Sequence, residues 1–321
     1  MALRVKFWGT RGSIPVALDS SSIKEKITRA VVAAAGKDLS TLAKARAWVE
    51  NKLDFAVSHT FGGNSACVQL DAGGPEYLLC DLGSGVRVFG NRVLERDGPG
   101  KASVFHVFMS HLHWDHIMGL PFFAPAYIPG NIIRIYGCHR EIESALRGQQ
   151  AAPCFPVPFD RLGATIEFVT LDPARSCDVA GWRVTPMLQK HSGESYGYRF
   201  ARGGRSIVYT TDSEHKLEDP AETEAVTAFF RDADLVSFEA MYSRADAVSV
   251  QDDWGHSSNV VGVELCQLAN VRHLVLFHHE PAFDDDQITA IWRETLRFEE
   301  ITRAGRPLRV SAAYDGLEIE L

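Results

Sequence analysis

The stretch Val104-Phe105-His106-Val107-Phe108-Met109-Ser110-His111-Leu112-His113-Trp114-Asp115-His116 decides how this chain is read. Its first half is a run of apolar and aromatic residues with strand character. Its second half places four metal-ligating side chains, His111, His113, Asp115 and His116, within six residues just past the strand end. Buried imidazoles and carboxylates each need a partner, so a cluster this dense is costly as mere core. Alternate residues of an extended segment point the same way, which lets His111 and His113 share one ion, and a bend after them turns Asp115 and His116 toward a second. Neutral imidazole together with carboxylate suits zinc, manganese or iron.

Working outward, further strands are expected at residues 3–8, 66–70 and 77–80 on one side, and at 132–136, 165–169, 182–187, 196–201, 205–210, 235–238, 273–277 and 308–312 on the other. Gly203-Gly204 suits a tight hairpin turn that needs positive φ. Helices are expected at 85–96, 139–147, 221–231, 257–270 and 284–302, the last opened by Asp284, Asp285 and Asp286 at its positive dipole end. This mixed α/β order with early hairpins fits two packed sheets with helices outside better than a Rossmann sheet. With no linker, repeat or low-complexity tract, one domain over 1–321 is expected. Residues 17–58 read as an insertion, because Ile23, Ile27, Ala30, Val31 and Ala34, then Leu42, Ala45, Val49 and Leu53, recur at helical spacing. This helical hairpin is read as surface helices packed on the body, as a substrate-covering lid or as a homodimer contact.

The 321 residues are 45% hydrophobic and 23% charged, which excludes disordered, collagenous and coiled-coil classes. No apolar run approaches the ~18 residues that span a bilayer, and residues 1–8 lack the pattern of a secretory signal, so a cytoplasmic protein without membrane attachment is expected. The net charge of −8 argues against a broad grip on long nucleic acid. Six cysteines without a Cys-x-x-Cys pair read as reduced thiols.

The His-x-His-x-Asp-His pattern at His111, His113, Asp115 and His116 resembles that of the metallo-β-lactamase superfamily. The resemblance implies a four-layer αββα sandwich and a two-metal site completed by a further His, an Asp and a final His, each after a strand. His191, Asp212 and His278 stand at such places, His278 being preferred to His279 as the first residue after its strand. The implied arrangement puts one ion on His111, His113 and His191, the second on Asp115, His116 and His278, and Asp212 between them. Zinc is the first expectation, manganese and ferrous iron the others. Two ions ~3.5–4 Å apart can hold a bridging hydroxide as nucleophile, and Asp115 beside it could orient it or take its proton. Asp81 matches the family's early Asp and is implied to orient a ligand His; capping the helix near Gly85 is its bland alternative.

The shared site does not choose among lactam, lactone, thioester and phosphodiester hydrolysis. Glu239 after the strand at 235, and His256 in Gly255-His256-Ser257-Ser258, look like the Glu and His of the phosphodiesterase branch that includes ribonuclease Z. The resemblance implies that Glu239 orients His256 and that His256 protonates the departing oxygen, a poor leaving group without a general acid. Residues 7–15 and 61–65 are also similar to that branch; Arg11 is either a phosphate contact or structural. Only a short hairpin separates His191 from Asp212, leaving no room for an arm that grips transfer RNA. A small phosphodiester, such as a cyclic nucleotide, is therefore the expected substrate. Trp114, Phe122, Phe123, Tyr127, Tyr242 and Trp254 are candidates to stack a base, or else pack as core or loop. The rival readings are a lactone, ester or β-lactam hydrolase using the same ions, and a catalytically silent metal- or nucleotide-binding sensor.

Overall fold

The computed structural model describes residues 3–98, 100–241 and 256–321. Tyr242, Trp254 and Gly255, named above, lie outside the described residues. Two seven-stranded sheets make up the centre of the molecule. The first is ordered β14 (Glu318–Glu320), β1 (Arg4–Gly9), β2 (Cys67–Asp71), β3 (Tyr77–Cys80), β4 (Val104–Phe108), β5 (Ile132–Gly137) and β6 (Thr165–Thr170). The second is ordered β13 (Arg309–Ala312), β12 (His273–Phe277), β11 (Leu235–Glu239), β10 (Arg205–Tyr209), β9 (Ser195–Arg202), β8 (Trp182–Gln189) and β7 (Cys177–Val179). In each sheet one half is antiparallel and the other parallel: β3 to β6 run together in the first, and β10 to β13 in the second.

Strand alternation explains the layering. Along β4, Phe105 and Val107 point to a core shared with α4 (Gly85–Asp97), whereas Phe108 points to the core between the sheets. Along β12, Leu274 and Leu276 face outward and Val275 and Phe277 inward. The inter-sheet contact is aromatic, with Phe7 against Phe277 at 5.8 Å between ring centroids and Phe108 against Phe200 at 5.2 Å. Burying each such side chain contributes roughly 1.5–3 kcal/mol. The remaining helices include α1 (Ser20–Ala33), α2 (Leu42–Lys52), α3 (Phe55–Ser58), α5 (Trp114–Ile117) and α6 (Ile142–Gln149). They are followed by α7 (Pro220–Phe230), α8 (Asn259–Leu268) and α9 (Asp285–Thr302), whose apolar faces close the outer core on the second sheet. The result is the four-layer αββα sandwich of the metallo-β-lactamase fold.

Local chemistry sets the element ends. Asp284 and Gln287 form a reciprocal capping box at the start of α9, and Gly203 and Gly204, at φ 58° and 76°, make the tight turn between β9 and β10. The helix expected from residue 139 begins only at Ile142, because His139 turns back to contact the carbonyls of Gly193 (3.3 Å) and Glu194 (3.2 Å). Strands β7 and β14, three residues each, are too short to carry a readable alternation in the sequence.

The apolar stripe of residues 20–52 does not face a core. Neither α1 nor α2 has a buried residue, and Ile27 and Val31 are exposed. Helix α1 instead packs on α3 and is tied to the first turn of α9 by Lys26–Asp285 (2.7 Å) and Arg29–Asp286 (2.6 Å). Phe123, named as a stacking candidate, is fully buried with its ring T-shaped on Phe105, so it is core. Tyr127 is half-buried and donates its hydroxyl to the Pro121 carbonyl at 2.7 Å. Phe122 is exposed, edge-on to Phe155. No helix among the described residues is long and apolar enough to cross a membrane.

Candidate metal centre

The ends of β3, β4, β8, β10, β11 and β12 deliver Asp81, the 111–116 segment, His191, Asp212, Glu239 and His278 to one edge of the sandwich. Asp81, Asp212 and His278 take positive φ (59°, 41° and 57°), a conformation that costs non-glycine residues energy and that turns each side chain into the site as its strand ends. Gly12 is required by close approach: a Cβ there would lie 2.5 Å from Cε1 and Nδ1 of His278.

His111, His113, His191 and Asp212 form one group of converging ligand atoms, and Asp115, His116 and His278 another. The carboxylate of Asp212 divides between them. Its Oδ1 lies 3.9 Å from His111 Nε2 and 3.7 Å from His191 Nε2, while its Oδ2 lies 3.0 Å from His116 Nε2 and 3.1 Å from His278 Nε2. Asp115 Oδ2 is 3.1 Å from His116 Nε2 and 3.2 Å from His278 Nε2, and it accepts the Ser13 backbone N–H at 2.8 Å.

Hydrogen bonds behind these rings decide where their lone pairs point. Asp81, fully buried, accepts from Ser110 N (2.7 Å), Ser110 Oγ (2.7 Å), Tyr209 Oη (2.6 Å) and His116 Nδ1 (2.8 Å). With its own proton given to Asp81, the Ser110 hydroxyl can only accept from His111 Nδ1, 3.0 Å away. Both His111 and His116 are thereby left with an Nε2 lone pair aimed into the cluster. His111 Nε2 is buried without a hydrogen-bond partner. Lone pairs of imidazoles and carboxylates facing one another at about 3 Å repel unless a cation lies between them, so the donor set fits divalent metal. The titration pattern agrees. Burial holds His111 neutral, while Asp115 and Asp212 stay ionised far below the usual carboxylate range, the surrounding imidazoles outweighing the opposing effect of burial. Burial also opposes charge on His116, yet Asp115, Asp212 and Asp81 raise its affinity for a proton, whose place a metal cation would take.

A third group abuts the second. Glu239, fully buried, accepts His256 Nδ1 at 2.7 Å on Oε2 and the backbone N–H of Ser213 (2.5 Å) and Ser257 (3.1 Å) on Oε1. The same Oε2 lies 3.9 Å from His278 Nδ1, and His256 Nδ1 is 4.0 Å from Asp212 Oδ1. Burial disfavours charge on His256, but Glu239 and then Asp212 and Asp115 more than offset it and raise its pKa to about 9.

His279 points elsewhere, its Nε2 contacting the Ala313 carbonyl at 2.8 Å and its ring edge-on to Phe61. Arg11 is structural: buried, it donates to the carbonyls of Gly62, Glu280 and Phe283 and does not line the cleft. Asp81 does not cap α4, whose N-cap Ser84 makes no side-chain cap bond. Ser13, Ser110 and Tyr209 were not singled out from sequence. The place of Ser110 and Tyr209 at strand ends beside ligand candidates was the available signal; a backbone donor such as Ser13 N has none.

A model of the beta-lactamase superfamily domain matches residues 77–279. Ribonuclease Z of Bradyrhizobium diazoefficiens is 24% identical over 276 residues, covering 71% of this chain and 87% of that protein. The metallo-β-lactamase fold protein YhfI from Bacillus subtilis superimposes with a TM-score of 0.65 at 17% identity, covering 100% of this chain and 99% of that one. Unliganded yeast PDE1 does so with a TM-score of 0.63 at 16% identity, with the same coverage. The sheet order, the converging imidazoles and the match across more than half of the sequence together make this chain a member of the metallo-β-lactamase superfamily.

Proposed function

We propose that the protein is a cytoplasmic phosphodiesterase with two divalent ions, acting on a small phosphodiester such as a cyclic nucleotide. His111, His113 and His191 would hold one ion and Asp115, His116 and His278 the other, with Asp212 offering one oxygen to each. When bound, such ions supply a nucleophile at neutral pH and offset the charge that builds on phosphoryl oxygens. Asp115, held ionised, would orient that nucleophile. His256 serves as general acid: Glu239 fixes its Nδ1 and favours the charged ring, so Nε2 hands the proton to the departing oxygen.

The observation that carries this reading is the Glu239–His256 pair set beside the metal cluster. Hydrolysis of a lactone or lactam through the same ions does not call for it. The likeness to ribonuclease Z adds support. In the metal-loaded protein, His256→Ala is expected to keep its metal while kcat on an unactivated phosphodiester falls roughly 10²-fold or more. An unchanged rate would remove His256 from the mechanism, and wild-type activity confined to lactones or a β-lactam would refute the proposal.

A further inference from the structure

The candidate metal cluster opens into a cleft of about 450 Å³, within the size range of small-molecule sites. It is lined by the polar His113, Asp115, His191, Asp212 and His256 and by the apolar Trp114 and Leu112. Trp114 is 77% exposed, more than any other large apolar side chain among the described residues. The other indoles among the described residues are more covered: Trp8 and Trp182 are buried, Trp8 with its Nε1 on Gln69, and Trp48 and Trp292 are half-buried. An exposed indole gives up the stabilisation that burial of so large a side chain would bring. The neighbours of Trp114 in sequence are drawn inward, His113 toward His191 and Asp115 toward His116 and His278. Consecutive Cα atoms lie ~3.8 Å apart, so Trp114 stands one residue from two candidate ligands, and it lines the same cleft as both.

We infer that Trp114 is the platform on which a planar ring of the substrate, a nucleobase, stacks while the attached phosphodiester sits at the metals. This rests on the phosphodiesterase reading above and narrows it to nucleoside-bearing diesters. The spacing suits a base joined to its phosphate through one sugar. Stacking is tolerant of base identity, because every base presents a π face. Among the described residues the cleft lining contains neither Lys nor Arg to hold the flanking phosphates of a longer strand. A short nucleoside diester, which needs no contacts to flanking phosphates, suits this cleft.

The test uses the metal-loaded full chain and two diesters with the same leaving group, thymidine 5′-(p-nitrophenyl phosphate) and methyl p-nitrophenyl phosphate. The wild type should prefer the thymidine arm. In Trp114→Ala the ratio of kcat/KM for the thymidine diester over the methyl diester should fall about 10-fold or more, mainly through KM, and Trp114→Phe should restore most of it. Calorimetric titration gives a second readout: the preference for thymidine 5′-monophosphate over methyl phosphate should drop by a similar factor. Cleavage of both diesters with an unchanged ratio in Trp114→Ala overturns the platform and leaves the phosphodiesterase intact. Failure of the wild type to cleave either diester, with turnover of a lactone, overturns the phosphodiesterase reading itself.

Discussion

Asp81→Asn probes whether lone-pair orientation governs metal affinity. Asn is nearly isosteric with Asp, and its carbonyl can keep the Ser110 N–H now at 2.7 Å from Oδ1. The amide NH₂ then replaces Oδ2, which accepts from the Ser110 hydroxyl, the Tyr209 hydroxyl and His116 Nδ1. The two protons of the NH₂ serve two of these three partners, so one hydroxyl can rotate to accept while the other loses its bond. The imidazole cannot rotate; it must move its proton from Nδ1 to Nε2, the atom 3.1 Å from Asp115 Oδ2 and 3.0 Å from Asp212 Oδ2. That N–H consumes the lone pair offered to the metal. Loss of an outer-shell partner of this kind costs about 10- to 100-fold in metal affinity. At 1.36 kcal/mol per decade this is about 1.4–2.7 kcal/mol. The metal-free fold should suffer less than the metal-bound one, since an Nε2–H on His116 donates to the same two carboxylates and about one buried hydrogen bond is lost. The predicted signature is therefore differential: Asp81→Asn unfolds at a temperature close to wild type without metal, but gains less from added zinc. Elemental analysis after dialysis against buffered free zinc, paired with thermal unfolding with and without metal, reads both quantities. Wild-type zinc affinity within twofold in Asp81→Asn would refute the tautomer argument.

Gly12→Ala should displace His278, because its Cβ would meet the ring at 2.5 Å; metal content and activity should fall at least about 10-fold by the same outer-shell reasoning, and full metal content would show that the ring can yield. Asp212→Ala should lose metal rather than merely slow turnover, so two ions retained by elemental analysis would exclude a bridging Asp212. His273, buried at the start of β12 and contacting Ser311 Oγ at 2.9 Å, has its pKa lowered to about 4 by burial and by Arg309. The unfolded chain, with a His pKa near 6.5, takes up this proton first. His273 is therefore neutral in its effect above pH ~6.5 and destabilises the fold as pH drops from there toward 4, by roughly 2–3 kcal/mol at the low end. His273→Gln should reduce that acid sensitivity in urea unfolding at pH 7 and 4.5, and an equal loss in both proteins would assign it to other groups.

The parts of the fold that could be read in the sequence are those whose signal is local. Strands β4 and β12 announce themselves by uninterrupted apolar runs, because both faces of each are covered. The 111–116 cluster is contiguous, and the strand ends before Asp212 and His278 mark those residues in the same way. What stayed hidden depends on distant partners. The Tyr209 hydroxyl meets Asp81 across 128 positions of chain, and the Ser13 N–H meets Asp115 across 102. Phe123 and Trp114 are both aromatics near the ligand segment, yet one is fully buried and the other 77% exposed. Tertiary packing separates them, with Phe89 and Phe105 enclosing the first. The stripe on α1 had correct helical spacing but no core to face, since periodicity reports a helix and not what covers it.

Strand direction explains why residues so far apart meet. In the first sheet β1 is antiparallel to β2 and β2 to β3, so β1 points the same way as β3, β4 and β5. In the second, β8 is antiparallel to β9 and β9 to β10, so β8 points the same way as β10, β11 and β12. Apart from His256, which precedes α8, the residues assigned to the centre lie at or just past the C-terminal end of one of these like-pointing strands. Gly12 and Ser13 follow β1, Asp81 follows β3, and the histidine cluster follows β4. His191 follows β8, Asp212 follows β10, Glu239 ends β11, and His278 follows β12. Open α/β sheets collect ligands at the carboxyl ends of their strands because the loops there are free to vary while the strands hold position. Here two sheets present such edges face to face, so one donor set can be drawn from both. Asp212 from the second sheet can then offer one oxygen toward His111 and the other toward His116 of the first, which neither sheet could arrange alone.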